Sequence, residues 1–457
     1  MPLGIPKRLT DLTSIFGAKI GSIVIGIVFL PLYDRLLGIE QFGVLALIIS
    51  LQSLVVMLDL GMATIVGRDA ALQQTKNPKS YLTWRDSEAN MSLLYVLILV
   101  IVVCVSNLIK IKTLSTFELV LIVILFWSLI IQNVAYSALN GLQAYKTSSY
   151  LQVLGTVFRA VSSLMALKFI SPSLDVFILT QCICSILHMI LTRLFCDSRL
   201  TRDSRSEFKY SLNFNRCFQL AKRGRALIVF SISGALVMHF DKSIISFFMS
   251  PSSLVPYFYA FSLAMLPLSV LAGPTRQYFQ PKVLTIIFAK ERSLELKSIV
   301  RMFALALTFM VAIPSTIVWV WAEFFVVAWL GDNPAVEQVI EFLKILLPAA
   351  AVGSLGYIPY VFLLAVEDYS FQAKFSVVMT SIVLLLVTVS SFNFDLMWVC
   401  VSYFSYHAIS TIGLWIRAYN MTLTRQISVL SAIYCLVSLT FMVVIVFLFV
   451  FLFNIKV

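Results

Sequence analysis

The stretch LVLIVILFWSLIIQNVAYSAL, residues 119–139, decides the fold. None of its 21 positions carries a charged side chain. As a helix rising about 1.5 Å per residue it is about 30 Å long. That is the thickness of the hydrocarbon core of a bilayer. A barrel strand would instead alternate apolar and polar residues over about 10 positions. No such alternation occurs here, so the stretch is a membrane-spanning helix.

The rest of the chain repeats this pattern. Hydropathy places spans at 11–36, 41–66, 90–109, 119–139, 148–170, 175–195, 226–249, 254–278, 299–322, 338–362, 372–392, 396–416 and 430–453. Of the 457 residues 60% are hydrophobic and 12% charged. A soluble domain has roughly 45–50% apolar and about 25% charged residues. The expected fold is an all-α polytopic membrane protein with 12–13 transmembrane helices, forming two six-helix lobes around a central cavity plus one C-terminal span. The expected organisation is a lobe at 1–195, a basic cytoplasmic linker at 196–225, a lobe at 226–418 and an additional hydrophobic span within 419–457.

Charge sets the orientation. Placing the N-terminus in the cytoplasm puts 24 of the 34 lysines and arginines in cytoplasmic segments and 5 in external ones. The positive-inside rule favours that arrangement. It gives a multi-pass protein of the bacterial inner membrane whose C-terminus, after thirteen spans, is outside. The first apolar run is too long for a signal-peptide core and stays as a span. The external loops are short and leave no room for an extramembrane active site. The basic segment 196–225 reads as a solvated linker near anionic lipid head groups.

Cations inside spans are Lys19, Arg159, Lys242, Arg276 and Lys344, against the acids Asp59 and Asp241. Ionisable groups at that depth are expensive and face a cavity or a partner. The excess of positive charge suits an anion, and a phosphate or pyrophosphate offers the acceptor oxygens that Lys and Arg neutralise. Lys19, Arg159, Lys242 and Arg276 are the expected substrate-binding residues, although Arg276 and Lys344 lie where snorkelling also explains them. Asp241 and Asp59 are the expected ion-coupling residues, and a structural ion pair is the competing reading for each. Adjacent Asp241 and Lys242 point about 100° apart on a helix, so they are not expected to pair with each other. Gly17, Gly21, Gly26 and Pro31 interrupt the first span. Pro267, Gly273 and Pro274 interrupt the eighth, and Pro348, Gly353, Gly356 and Pro359 the tenth.

Several segments carry a family resemblance. Pro31-Leu32-Tyr33 through Leu37-Gly38, Gln41-Phe42-Gly43 and Leu58-Asp59-Leu60-Gly61 resemble the opening of Wzx-type polysaccharide flippases. These belong to the multidrug/oligosaccharidyl-lipid/polysaccharide exporter superfamily. Gly141-Leu142-Gln143, Phe240-Asp241-Lys242, Trp329-Leu330-Gly331 and Gly356-Tyr357-Ile358-Pro359-Tyr360 are similar in the same order, over residues 10–418. The resemblance implies lobes splayed in a V, alternating access driven by a cation gradient, and an undecaprenyl-pyrophosphate-linked oligosaccharide as cargo. The expected role is a flippase that moves an O-antigen or related surface polysaccharide unit from the cytoplasmic to the outer leaflet of the inner membrane, alongside the polymerase and glycosyltransferases of the same pathway, with lipopolysaccharide as the expected context.

Two rivals belong to other classes. A major-facilitator transporter of a small anionic solute shares the six-plus-six pattern, but Asp59, Gly61, Gly67, Arg68 and Asp69 do not keep its signature spacing. A membrane glycosyltransferase or polymerase needs a large external loop or an acidic pair, and only Asp34 and Glu40 lie in the first external loop. No Gly-x-x-x-x-Gly-Lys-Ser/Thr occurs, and the seven cysteines form no zinc-ligand set. The reading is a non-enzyme without metal or cofactor and without nucleic acid as partner.

Overall fold

A computed structural model describes residues 7–57, 62–72, 80–108, 114–142, 144–200, 214–289, 293–366 and 368–452. These residues are nearly all helical, with no strand among them. The protein is a polytopic all-α membrane protein. Ten of the described helical segments are long and apolar enough to cross a bilayer. The chain divides into two compact units, Met1–Ser243 and Ile244–Val457.

The first unit contains α1 (Lys7–Leu37), α2 (Ile39–Met57), α3 (Met62–Leu72), α4 (Ser80–Leu108), α5 (Thr116–Gly141), α6 (Tyr145–Phe169) and α7 (Leu174–Arg199). It also holds most of α8 (Phe214–Phe248). Gly38 separates α1 from α2 at φ 75°, a backbone conformation that glycine adopts without strain. The run that opens the sequence argument is α5. A reciprocal cap starts it: Ser115 Oγ accepts from the Glu118 amide at 3.2 Å, and the Ser115 amide donates to Glu118 Oε2 at 2.6 Å. The helix is flanked by α3, α4 and α7, while α1 packs along α6.

The second unit contains α9 (Leu254–Ala264), a π-helical segment (Pro267–Ala272), α10 (Gly273–Ala289), α11 (Ser293–Val320) and α12 (Ala322–Leu330). There follow α13 (Val336–Leu355), α14 (Tyr357–Ala365), α15 (Tyr369–Phe392), α16 (Leu396–Asn420) and α17 (Arg425–Leu452). Gly331 ends α12 at φ 65°, which explains the glycine of Trp329-Leu330-Gly331. Counting α8 as the first span of a second set of six, the helix pairings of the first set recur. The fourth span of each set, α5 or α13, contacts the second, third and sixth, and the fifth span packs on the sixth. The additional helix α17 lies on α11 and α16.

The sixth span of each set, α7 or α16, carries a largely buried polar seam. On α7 the residues Gln181, Ser185, His188 and Thr192 recur at helical spacing. Gln181 donates to Ser163 at 3.0 Å, and Ser185 Oγ lies 2.6 Å from Ser128 Oγ. Gln132 donates to the Ser185 carbonyl at 2.9 Å. On α16, Thr411 donates to the Val352 carbonyl at 3.2 Å. Hydrogen bonds between helices hold membrane bundles together where no hydrophobic force between helices exists.

Candidate functional site

Arg159 sits on α6 where α1, α5 and α7 converge. Tyr33 of α1 donates its hydroxyl to the Ala160 carbonyl at 3.0 Å, and its ring meets Phe177 edge-on at 5.0 Å. Tyr136 of α5 places its hydroxyl 3.0 Å from His188 Nε2. The same nitrogen lies 3.0 Å from the Leu151 carbonyl. A carbonyl only accepts, so Nε2 carries the hydrogen, and Nδ1 is left buried without a partner. The His188 ring fills the space over Gly155 where a β-carbon would stand. Any side chain at position 155 would displace it.

Among the described residues, the groups that act electrostatically on Arg159 include Tyr136, Cys184 and Tyr33, and none of these is a carboxylate. No ion pair among the described residues includes Arg159. Its Nη1 is buried with no hydrogen-bond partner. A guanidinium offers five donors in a planar fork and accepts nothing. Such a group, surrounded by hydroxyls and an imidazole, can hold an anion with charge-assisted bonds.

The other residues singled out by sequence fall as follows. Lys19 lies in α1, which packs along α6, but its side chain is outside the described residues. Asp59 lies outside the described residues altogether. Asp241 and Lys242 are both buried in α8, and here the structure corrects the sequence reading. Lys242 Nζ reaches Asp241 Oδ2 at 2.9 Å and donates to the Met238 carbonyl at 2.8 Å. The four-carbon lysine stem folds back over one helical turn, which overcomes the 100° offset of the two α-carbons. Lys344 is exposed on α13.

Arg276 belongs to the second unit and lies on α10, immediately after the π-helical segment. Its guanidinium carbon stands 4.9 Å from the Tyr357 ring centroid and 5.4 Å from that of Tyr360. Both tyrosines are on α14. Its Nε has no hydrogen-bond partner. Deeper in the same unit, His407 on α16 is 5% exposed, rests against Gly353, and holds a buried Nε2 without a partner. Tyr406 meets its ring at 5.1 Å.

Sequence reasoning missed Tyr33, Tyr136, His188, Tyr357, Tyr360, Tyr406 and His407. A signal existed for the histidines, since all three in the chain fall within predicted spans. For the tyrosines it was only the motifs around Pro31 and Gly356, which hold Tyr33, Tyr357 and Tyr360. No group of histidine, cysteine, aspartate or glutamate among the described residues could hold a metal ion.

The family model described as polysaccharide biosynthesis protein matches residues 9–278. The chain belongs to this family. Its fold is that of the multidrug/oligosaccharidyl-lipid/polysaccharide exporter superfamily. A Vibrio cholerae MATE transporter, VcmN, superposes with a TM-score of 0.66 at 11% identity, over 91% of this chain and 97% of that one. A multidrug resistance MATE family transporter in its inward-facing conformation gives 0.63 at 13% identity, over 94% and 97%. A Pyrococcus furiosus transporter of the superfamily, reported to have a binding pocket of reversed polarity, gives 0.62 at 12% identity, over 92% and 96%. At these identities the likeness concerns the fold. No curated protein matches the chain in sequence. Family membership decides against the major-facilitator alternative.

Proposed function

We propose that this family member is a flippase. It moves an undecaprenyl-pyrophosphate-linked oligosaccharide, an O-antigen or related unit, from the cytoplasmic to the outer leaflet of the inner membrane. The observation that carries this reading is Arg159. A guanidinium enclosed by four helices, with no carboxylate beside it among the described residues, is costly unless an anion completes it. A diphosphate joined to a lipid supplies that anion while its tail stays in the bilayer. The family description, polysaccharide biosynthesis, supports a saccharide as the remainder. The chain works as a transporter beside the glycosyltransferases and polymerase of its pathway, and an ion gradient drives it.

The test is export in cells lacking the native gene. Arg159→Ala should abolish surface polysaccharide while the protein still reaches the membrane at normal level. Arg159→Lys should restore part of export, because the charge survives and the fork does not. Normal export by Arg159→Ala would overturn the reading.

A further inference from the structure

Two helices of the second unit are interrupted, and both interruptions meet at Arg276. Between α9 and α10 the chain runs as a π-helix over Pro267–Ala272. A π-segment turns the residues after it relative to the helix before, and such segments concentrate at functional sites. Arg276 lies in the first turn beyond it. The second break separates α13 from α14 at Gly356, immediately before Tyr357. There the Gly356 amide bonds the Gly353 carbonyl at 3.1 Å instead of the Val352 carbonyl. Thr411 of α16 takes up the carbonyl thus released, at 3.2 Å. A β-carbon on Gly356 would lie 3.2 Å from Thr411 Oγ1, so the glycine keeps α14 close to α16. The break is therefore built and satisfied rather than a defect.

These breaks bring one guanidinium onto two phenol rings. Arg276 lies over Tyr357 and Tyr360 of α14, and Tyr406 lies on α16, which packs against α14. The three tyrosines are each partly accessible, as is Arg276. No ion pair among the described residues includes Arg276, and its Nε is unpartnered. Snorkelling toward a membrane surface does not account for a guanidinium laid on two rings. Aromatic faces offer flat apolar area, and phenol hydroxyls both donate and accept. That combination suits the ring of a sugar, with C–H groups on its faces and hydroxyls on its rim. A guanidinium held against two rings can present paired N–H groups to a planar carboxylate.

We propose that Arg276, Tyr357, Tyr360 and Tyr406 form a carbohydrate subsite that selects a sugar bearing a carboxylate. The inference rests on the flippase reading for its biological sense. It differs from that reading in its residues, its unit and its ligand: Arg159 serves a diphosphate, and Arg276 serves an acidic sugar.

The experiment uses the full chain in lipid nanodiscs and ligand-observed NMR with a methyl hexuronoside and the corresponding neutral methyl hexoside. The uronoside should bind at least tenfold more tightly. Arg276→Gln should bring the two glycosides within twofold of each other by weakening the uronoside alone. Arg276→Lys should keep part of the preference, and it carries the test if Arg276→Gln does not fold. Tyr357→Ala should weaken both glycosides. Equal binding of the two glycosides to the wild type overturns the proposal. So does a preference that survives Arg276→Gln, or displacement of the uronoside by inorganic phosphate at tenfold lower concentration than by free hexuronate. A short-chain prenyl diphosphate without sugar reports on Arg159 separately. If it fails to bind while the uronoside preference holds, the diphosphate reading falls and the sugar subsite stands.

Discussion

Gly141 ends α5 where that helix crosses α3, and a β-carbon at 141 would collide with the backbone carbonyl of Gly67. Nothing soft lies there to yield, so the helices themselves would have to separate. Gly141→Ala should therefore lower stability by about 1–3 kcal/mol, the usual cost of overpacking. Gly17→Ala, whose β-carbon would meet nothing within 4 Å, should be neutral. Melting of the purified protein in detergent distinguishes the two. The Asp241–Lys242 pair makes a second demand at this scale. Both side chains are buried, and removing one member of such a pair strands the other charge. Lys242→Met should cost about 3–5 kcal/mol. Lys242→Met combined with Asp241→Asn should recover most of that. A single variant as stable as the wild type would show that the pair does not carry its own charge balance. An Asp241→Asn protein that is stable yet exports without dependence on the ion gradient would instead support a coupling role.

At the scale of the element, hydropathy located nearly every helix, because the cost of exposing a backbone to lipid leaves long apolar runs no other structure. Its edges went astray where water, not lipid, surrounds the chain. Helix α8 begins at Phe214, inside the segment read as a polar linker, and α4 begins at Ser80, ten residues before the predicted span. Polar helical turns outside the bilayer leave no hydropathy signal. The interruptions were legible as clusters of Pro and Gly, but their consequences were not. Pro267 and Gly273 said that the eighth span is irregular. They could not say that a π-helical segment would deliver Arg276 to Tyr357 and Tyr360. Arg159, with no ion-pair partner among the described residues, shows the same division. Depth in the span was readable from sequence, whereas the company of Tyr33, Tyr136 and His188 depends on how α1, α5 and α7 close around α6. The Asp241–Lys242 pair was misread for a related reason. Helical periodicity fixes where a side chain leaves the backbone, and a lysine stem is long enough to return.

For the whole molecule, charge and packing bear on which side of the membrane each end occupies. The segments assigned to the cytoplasm hold most of the basic residues, and several of these are paired. Arg85 and Arg193 each lie 2.6 Å from Glu88, and Arg417 lies 2.8 Å from Asp368. The first of these clusters joins the start of α4 to the end of α7, with Trp84 donating to Asp197 at 2.9 Å. The start of the third span and the end of the sixth must then lie on one side, as the charge map requires. Pairing does not remove the asymmetry, because the segment 196–225 alone carries eight basic residues against three acidic ones. Reporter fusions within 196–225 should therefore read cytoplasmic, and fusions beside Asn333 external. On the thirteen-span map that the sequence predicts, a fusion after Val457 should read external. An inverted result would do more than reverse a diagram. Arg276 and Tyr357 lie toward the ends of their spans that this topology places inside, the face on which the proposed lipid-linked cargo would load. Inversion would move that cluster to the face from which cargo departs, and recognition of an acidic sugar would then act on release rather than on loading.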